Sequence, residues 1–427
     1  MTRRVVTLRE WQLDHREPGL ALSEADRRLA QTLSAGEGRL RITELSDAVR
    51  FDASAWVGVI RLADLEVRIV PKLVGENLGV LRMLEYSSGL GALARLDSAR
   101  TLAAERDGSL VDLLALLLAE ASLSIAKRGV LSDYVTREES LSRVRGRLLA
   151  FEQATKHFGQ VETLECRFDE LETDIVENQL LAAGLGVAKR VATDEQVRRL
   201  AGRAHAIFGE VADAGAVTHE TPELEYTRRN EPYEAPHVIA RMFLRNLSVN
   251  NLYAPGAGES FAFLIDMNRL FEDFVTRLLV GVFAGTEVRV SPQARDRTLI
   301  LDARTGRPYA AVIPDLLLER MPGPSLRIPV DAKYKLYDEK KIDQADIYQT
   351  FFYAWAYANQ ESSADALAFI LYPGTQGSVG DHLMARAADR TRAASIRSVP
   401  LDVPALLAAL DVRTKVSIPE LTDAVSH

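Results

Sequence analysis

The chain has 427 residues, of which 47% are hydrophobic and 26% are charged, and its formal net charge is −8. This composition predicts a globular protein of two or three domains, and the negative charge argues against a protein that coats nucleic acid through bulk electrostatics. The single Cys166 excludes an internal disulfide, and the scattered histidines have no zinc-binding spacing. No phosphate-binding loop motif is present, so any nucleotide hydrolysis has to come from another polypeptide.

The sequence also lacks membrane signals. No window approaches the roughly 18 apolar residues of a membrane span, and the first residues, MTRRVVTLREWQLD, lack the apolar segment of a secretory signal. We therefore expect a cytoplasmic protein that does not cross a membrane.

Along the N-terminal region, hydrophobic periodicity predicts a mixed α+β arrangement. We expect a helix over 22–33, a hairpin of 55–60 with 65–70 stopped by Pro71, and helices over 81–86 and 110–127. The charge-dense segment 134–149 places four arginines around Gly146, namely Arg137, Arg143, Arg145 and Arg147. This segment is either a solvated surface with a glycine turn or a patch that faces phosphate or a partner.

Further segments are read as scaffold and connections. The pattern predicts helix over 168–203, a proline-bearing connecting loop over 221–236, and a small terminal helix near 403–410. The chemistry-bearing residues follow the loop.

The first of three elements that carry candidate catalytic residues is a predicted amphipathic helix over 266–283. Phe271, Phe274, Leu278 and Val282 form its apolar stripe, and Glu272 flanks that stripe. The Glu272 carboxylate therefore points either at the edge of a domain core or into water as an ordinary surface glutamate.

The second element is a predicted pair of strands, 311–319 and 326–335, joined by a turn at 321–325. If the hairpin closes symmetrically about Gly323, Asp315 and Asp331 face each other. Cross-strand side chains lie about 5 Å apart, where two like charges are unfavourable without a cation between them. Carboxylate oxygens open to a phosphate suit Mg²⁺ or Mn²⁺, so the pattern predicts a divalent metal site.

Lys333 follows Asp331 by two residues, which places both side chains on one face of a strand. An ammonium group there can position a water or offset charge that develops on a phosphate. The alternative is a structural Asp–Lys ion pair inside a core strand.

The third element is a predicted helix over 341–359, followed by a strand over 366–372. We expect Gln349 to lie on the helix face that packs on the sheet with Ala345, Phe352 and Ala356. It either binds a metal-bound water or substrate, or it is a satisfied core glutamine. Lys335, Lys340 and Lys341 either contact phosphates at the mouth of the site or only increase solubility.

These residues resemble the PD-(D/E)XK endonucleases, with Pro314-Asp315 and Asp331-Ala332-Lys333 at the signature positions. The wider context resembles the McrC family. The segments that carry this resemblance are VGVIRL (57–62), IVPKL (69–73), RGRL (145–148), CRFDE (166–170) with Asn178, LFEDFV (270–275), DAKYK (331–335) and DIYQ (346–349).

The resemblance implies a fold and a partner. It implies an α+β N-terminal region, 1–165, that binds an AAA+ motor, and a region 166–427 with a helical scaffold and an α/β nuclease core, αββαβ, at about 262–373. It also implies a McrB-like AAA+ GTPase or ATPase ring that recognises modified, for example methylated, double-stranded DNA. The McrC-like subunit then stimulates the motor and cuts, and two copies meet for a double-strand break.

Under this hypothesis Asp315, Asp331 and Glu272 bind Mg²⁺ or Mn²⁺, Lys333 assists attack on the phosphodiester, and Gln349 completes the site. Two alternatives stay open: a non-cleaving adaptor that activates an NTPase ring and clamps DNA, and a stand-alone PD-(D/E)XK nuclease. Intact acids favour cleavage over the adaptor, and a neighbouring gene for an AAA+ protein would count against the stand-alone enzyme.

Overall fold

The computed structural model describes residues 4–35, 38–74, 77–87, 109–160, 162–218, 220–222, 224–250, 260–321, 326–335, 337, 340–358, 366–375, 377–386, 393–411, 414 and 416–426. The chain forms two compact units. Unit 1 combines Met1–Ala94 with Leu264–His427, and unit 2 is Arg95–Phe263. None of the helices within the described ranges is long and apolar enough to cross a membrane.

The compact units do not divide the chain near residue 165, where the sequence predicts a functional boundary. Residue 165 lies inside the strand Leu164–Glu172, which pairs with Asp133–Leu141 along its whole length, so both sides of the predicted boundary belong to unit 2. The N-terminal residues instead share a unit with the candidate nuclease residues.

The first part of unit 1 contains two small sheets and two helices. In chain order these elements are β1 (Arg4–Arg9), β2 (His15–Pro18), α1 (Glu24–Ser34), β3 (Leu40–Glu44), β4 (Ala48–Ala53), β5 (Trp56–Arg61), β6 (Leu65–Val70) and α2 (Asn77–Ser87). Strand β6 pairs in parallel with β1 and antiparallel with β5, while β4 lies between β2 and β3. The predicted hairpin and the helices over 22–33 and 81–86 are thus confirmed. A capping box between Ser23 and Asp26 begins α1.

Unit 2 combines a helical core with a small sheet. Its elements are α3 (Leu110–Arg128), β7 (Asp133–Leu141), β8 (Arg147–Leu148), α4 (Ala150–Lys156), β9 (Leu164–Glu172), α5 (Val176–Val191), α6 (Glu195–Val211) and α7 (Glu231–Asn250). Helices α3, α5, α6 and α7 pack together, and β9 pairs antiparallel with β7 and β8. The predicted helix over 110–127 is confirmed. Of the arginines around Gly146, Arg137 pairs with Glu172 and Arg145 with Glu170, as on a solvated surface.

Two predictions in unit 2 are wrong. Residues 168–172 belong to a strand rather than a helix, because pairing with β7 outweighs the helix propensity of DELE. The helix after it also ends at Val191, and Asp194 caps a second helix. The expected loop over 221–236 becomes helical at Glu231, since Pro232 lies in the first turn, where no backbone donor is needed.

The second part of unit 1 carries a larger sheet. The chain returns through β10 (Phe261–Asp266) and continues as α8 (Met267–Val282), β11 (Val288–Pro292), β12 (Asp296–Leu301), β13 (Pro308–Val312), β14 (Leu316–Arg320), β15 (Arg327–Ala332), α9 (Gln344–Tyr357), β16 (Ala366–Pro373), β17 (His382–Arg386), β18 (Ala393–Leu401), α10 (Val403–Asp411) and α11 (Pro419–Ser426). Among the described residues the sheet order is β11-β14-β15-β16-β18-β17. Strands β14 and β15 run antiparallel, whereas β16 is parallel to both β15 and β18.

Most elements predicted here are confirmed, with one correction. The helix over 266–283, the strand over 366–372 and the terminal helix appear as α8, β16 and α10. The single strand predicted over 311–319 is wrong: it breaks before Leu316, because Pro314 has no N–H to donate to a sheet. The observed order also contains more strands than αββαβ. Most of the predicted turn, 322–325, and residue 359 lie outside the described residues.

Candidate active site

The two predicted acids meet at the end of the β14–β15 hairpin. Leu316 pairs with Val330, which is the register expected for symmetric closure, so Asp315 and Asp331 occupy the next facing positions. Asp315 is half-buried and its Oδ2 accepts a hydrogen bond from Ala332 N at 2.8 Å. Asp331 is 1% exposed. The local β-structure therefore brings together two carboxylates that are 16 residues apart in the sequence.

The surroundings of Asp331 disfavour its ionised form. Burial, followed by the neighbouring charge of Asp315, raises the pKa of Asp331 to about 7. Its Oδ1 is buried and receives no hydrogen bond from an N–H or O–H group in the described part of the chain. A buried carboxylate in this state is stabilised by a cation.

Lys333 supplies one such cation. Its Nζ lies 3.0 Å from Asp331 Oδ2, and its side chain is 19% exposed. Burial disfavours the ammonium form, but the charges of Asp331 and Asp315 outweigh burial and raise the pKa of Lys333. Lys333 therefore stays protonated at neutral pH, and it can donate hydrogen bonds and offset negative charge but cannot act as a base. The backbone holds it in place, because Lys333 N donates to Leu371 O of β16 at 2.8 Å.

Glu272 approaches the site from α8. Burial raises its pKa, while the charge of Lys333 and a hydrogen bond from Gln293 Nε2 lower it. Gln293 also donates its backbone N–H to Asp315 O at 2.8 Å. Gln293 thus joins Glu272 to the Asp315 segment, and it does so from a left-handed backbone conformation with φ +47°. The sequence carried no signal for Gln293 beyond its position after Pro292.

Gln349 reaches the site through another residue. Its Nε2 donates to Tyr353 Oη at 2.9 Å, and Tyr353 donates to Ile313 O at 3.1 Å, two residues before Asp315. The expected face of the helix is confirmed only in part, because Phe352 and Ala356 pack against the core cluster of Val312 and Leu317. The buried face of α9 contains Asp346, Thr350, Tyr353, Ala354 and Tyr357, whereas Gln349 and Ala345 are exposed. The helix is rotated because Asp346 and Tyr353 take polar partners in the interior.

The lysines predicted at the mouth of the site differ from one another. Lys335 forms ion pairs with Asp343 and the buried Asp346, and Asp346 also accepts a hydrogen bond from Tyr337. Lys335 thus links β15 to α9. Lys340 and Lys341 are exposed and form no ion pair with the described residues.

Tyr334, between Lys333 and Lys335, anchors this segment to the N-terminal part of unit 1. Its hydroxyl donates to Glu10 Oε1 at 2.7 Å, and its ring packs on Phe271 with centroids 5.8 Å apart. Glu10 is 1% exposed and also accepts hydrogen bonds from Lys72 N and Leu73 N. The anchor fixes the backbone next to Lys333.

The side chains fit a divalent ion of the magnesium type. No cluster of three or more acidic, histidine or cysteine side chains with metal-binding geometry occurs in the described part of the chain. Magnesium does not need such a cage, because one or two carboxylates with waters and substrate phosphate complete its octahedron. The close Asp315–Asp331 pair and the unsatisfied Asp331 Oδ1 match that requirement.

Residues 51–373 match the family described as the McrBC 5-methylcytosine restriction system component. This match covers more than half of the chain. The chain belongs to the McrBC family. The segment matched by this McrBC family includes Glu272, Asp315, Asp331, Lys333 and Gln349.

Two solved structures are similar to this McrBC family member. One is a refined half-complex from a tetradecameric assembly of Thermococcus gammatolerans McrB AAA+ hexamers with bound McrC, at 19% identity, a TM-score of 0.60, and coverage of 94% of this chain and 95% of the other. The second is a cryo-EM structure of the Thermococcus gammatolerans McrBC complex, at 23% identity, a TM-score of 0.48, and coverage of 66% and 88%. The first similarity establishes a shared fold. No curated protein matches the chain.

Proposed function

We propose that this chain is the DNA-cleaving subunit of a McrBC-type restriction system and hydrolyses phosphodiester bonds with Mg²⁺ or Mn²⁺. The observation that carries the proposal is the arrangement of Asp315, Asp331 and Lys333. Two carboxylates in contact, one of them buried with a raised pKa, lie beside an ammonium group at the end of a strand. This is the donor set expected of a PD-(D/E)XK nuclease.

Each residue has a chemical role under this proposal. Asp315 and Asp331 would hold the divalent ion, which supplies Lewis-acid chemistry at the scissile phosphate. Lys333 donates hydrogen bonds to the attacking water and to the phosphate oxygens as negative charge develops. Glu272, the further acid predicted from the sequence, would either complete the metal ligands or, because burial raises its pKa, take a proton from that water. Gln293 keeps Glu272 and the Asp315 segment aligned, and Gln349 orients Tyr353 beside them.

The partner proposed for this chain is a McrB-like AAA+ ring that hydrolyses GTP or ATP. Support comes from the similar Thermococcus gammatolerans assembly, in which McrB AAA+ hexamers carry bound McrC. Residues 1–165 remain the proposed motor-binding region. The substrate is double-stranded DNA that carries a modification such as 5-methylcytosine, and cleavage of both strands requires two active sites. We place the reaction in the cytoplasm.

A plasmid-cleavage experiment tests the proposal. Methylated and unmethylated plasmids are incubated with Mg²⁺ and GTP or ATP, with the chain alone and with the AAA+ protein encoded beside its gene. We expect cleavage of methylated plasmid that requires the partner and the metal. Asp331→Asn should lower the cutting rate by on the order of 100-fold or more, because it removes a metal ligand. Asp315→Asn should behave in the same way.

Two comparisons make this experiment decisive. Glu420→Ala removes an exposed carboxylate of α11 and should leave cutting unchanged. Partner NTP hydrolysis is measured in parallel, and Asp331→Asn should retain the stimulation that wild type gives. Stimulated hydrolysis with no cutting by wild type would support the adaptor, while cutting without any partner would support a stand-alone nuclease.

A further inference from the structure

A hairpin beside the candidate active site carries an excess of positive charge. Strands β12 and β13 form it, and we call residues 295–312 the basic hairpin. It has four arginines, no lysine and two acids. All four arginines are exposed: Arg295, Arg297, Arg304 and Arg307.

The two acids of the basic hairpin accept hydrogen bonds from backbone N–H groups and from a threonine hydroxyl of the hairpin itself. Asp296 Oδ1 accepts hydrogen bonds from Thr298 N at 2.7 Å and Thr298 Oγ1 at 2.6 Å. Asp302 Oδ1 accepts from Arg304 N and Thr305 N, each at 2.8 Å, and so closes the turn. Neither acid pairs with an arginine side chain of the hairpin. Within the described residues, none of the four arginines forms an ion pair.

Exposed arginines elsewhere in this acidic chain are commonly paired. Arg16 pairs with Asp14 and Arg27 with Glu44, and both pairs lie at the surface of unit 1. In unit 2, surface pairs also join Arg137 to Glu172, Arg145 to Glu170 and Arg167 to Glu138. In a chain of net charge −8, four exposed and unpaired arginines on one hairpin form a local positive surface.

Packing fixes the hairpin next to the site. Leu299, Ile300 and Val312 of the hairpin belong to a cluster with Tyr353 and Tyr357 of α9. The strand also starts just after Gln293, which contacts Glu272 and the Asp315 backbone. Two residues of extended chain span about 7 Å, so Arg295 begins within that distance of Gln293. The hairpin therefore begins beside the site, and its four arginines are exposed to solvent.

We propose that the basic hairpin is a DNA-backbone clamp, in which Arg295, Arg297, Arg304 and Arg307 contact phosphates that flank the scissile one. The inference rests on the nuclease function proposed above and extends it to a surface outside the metal site. Arginine suits phosphate because its planar group donates two hydrogen bonds at once. Contacts of this kind set the register of the duplex without reading its sequence. Tyr309, 78% exposed on β13, adds an aromatic surface next to the same charges.

The salt dependence of DNA binding tests the clamp. Full-length protein carrying Asp331→Asn, a change chosen to prevent cutting, is titrated by fluorescence anisotropy into a labelled unmethylated duplex over 50–300 mM KCl. We expect the triple variant Arg297→Gln, Arg304→Gln, Arg307→Gln to reduce the slope of log affinity against log salt by about 2 to 3. The same loss weakens binding on the order of 100-fold at 150 mM salt.

Two further variants separate a phosphate contact from a general charge effect. Arg198→Gln, Arg199→Gln, Arg203→Gln removes the same charge from α6, where Arg199 and Arg203 are exposed and Arg198 is half-buried, and should keep the parental slope. Replacing the three hairpin arginines by lysine should restore most of the slope, because the slope depends on the number of phosphate charges neutralised and lysine carries the same charge. An unchanged slope in the hairpin glutamine triple, or an equal loss in the α6 triple, overturns the clamp. Circular dichroism confirms that each variant is folded.

Failure of the clamp and failure of the nuclease function give different results. If Asp331→Asn abolishes plasmid cutting while the hairpin triple binds and cuts like wild type, the clamp is wrong and the nuclease function stands. If wild type never cuts but the triple loses its salt slope, the hairpin binds DNA in a protein that is not a nuclease. In a cutting assay, the clamp predicts a raised KM with kcat nearly unchanged, because excess DNA restores occupancy.

Discussion

Individual buried titratable side chains bear on both the proposed chemistry and the stability of this chain. The environment of Asp331 is unfavourable for a carboxylate, because the side chain is buried from water and lies beside a second acid, Asp315. Lys333 relieves part of this cost, and a divalent ion would relieve more. Burial and a neighbouring acid both oppose the negative charge of Asp331. Such a position does not stabilise the fold, so ligand binding explains it better than stability does.

His237, in unit 2, is a buried titratable group with a structural role. Its Nδ1 accepts from Tyr226 Oη at 2.9 Å and its Nε2 donates to Glu177 O at 2.8 Å, so the neutral ring satisfies both neighbours. Burial lowers the pKa of His237 to about 4, and the charge of Arg241 also lowers it. Protonation would place a donor against the Tyr226 hydroxyl and a charge in the interior.

The pKa of His237 predicts acid sensitivity of unit 2. Because the folded state binds fewer protons than the unfolded state between pH 4 and about 6.5, the free energy of unfolding falls as pH decreases through that window. The full loss is about 3 kcal/mol, from a shift of roughly 2.5 pKa units. Urea unfolding at pH 7 and pH 5 should show about 2 kcal/mol of this loss in wild type, because the remainder is lost only below pH 5. His237→Gln should show a smaller difference between the two values.

An exposed histidine provides the control for this measurement. His382→Gln should retain the difference between pH 7 and pH 5 seen in wild type. If His237→Gln retains the same difference as well, other groups cause the acid sensitivity and the assignment to His237 is wrong.

Helix crossings determine the packing of unit 2 at the level of elements. Helices α5 and α7 approach closely at Gly184, where an added Cβ would lie 2.4 Å from Ala240 Cβ and 2.7 Å from Ala240 Cα. Gly202 on α6 is different, because the nearest atoms to an added Cβ belong to the flexible Lys189 side chain at 3.7 Å. The same substitution should therefore have opposite effects at these two glycines.

We expect Gly184→Ala to destabilise the protein by about 1–3 kcal/mol, because the two helices have to move apart. Gly202→Ala should stabilise it by up to about 1 kcal/mol, because alanine is the better helix former. Thermal unfolding of both variants checks the pair. A Gly184→Ala variant that melts at or above the wild-type temperature would contradict the close approach of α5 and α7.

At the level of helices and strands, the sequence predicted the elements set by local pattern but not those set by distant contacts. Periodicity located helices such as α8 and α3, and the β14–β15 register followed from a symmetric turn, so the Asp315–Asp331 pairing was predictable. Strand β9 was not, because its helix-forming residues become a strand only by pairing with the distant β7. The orientation of α9 also depended on partners far away in the chain: Asp346 turns inward because Lys335 and Tyr337 meet it. Gln293 and Tyr353 take part through such contacts and have no sequence motif.

The whole molecule is organised by a discontinuous unit. Tyr334 bonds to Glu10, Met267 N donates to Ala55 O at 2.9 Å, and Tyr86 packs on Phe274 with ring centroids 5.5 Å apart. All three contacts join Met1–Ala94 to Leu264–His427. The candidate active site is thus supported by residues from both ends of the chain.

This organisation predicts the behaviour of fragments. Residues 264–427 expressed alone should lack a cooperative thermal transition, since Tyr334, Phe274 and Met267 lose their partners, and co-expression with residues 1–94 should restore one. Residues 95–263, which have their own helical core, should unfold cooperatively alone. Circular dichroism melts check these outcomes. A cooperative transition in the lone 264–427 fragment would contradict the role given to the N-terminal contacts.

The insertion of unit 2 within unit 1 has a consequence for biosynthesis. On the ribosome, the strands of the first 94 residues emerge before unit 2 and cannot complete their unit until the residues after 264 follow. At about 5–20 residues per second, translation of unit 2 imposes a wait on the order of 10–30 s. During that time β5 and β6 expose apolar faces in the nascent chain. Such a chain is a substrate for chaperones. The candidate active site draws on residues from both parts of unit 1 and cannot form before the residues after 264 have been made. A translation product interrupted within unit 2 therefore lacks any activity that this site supports.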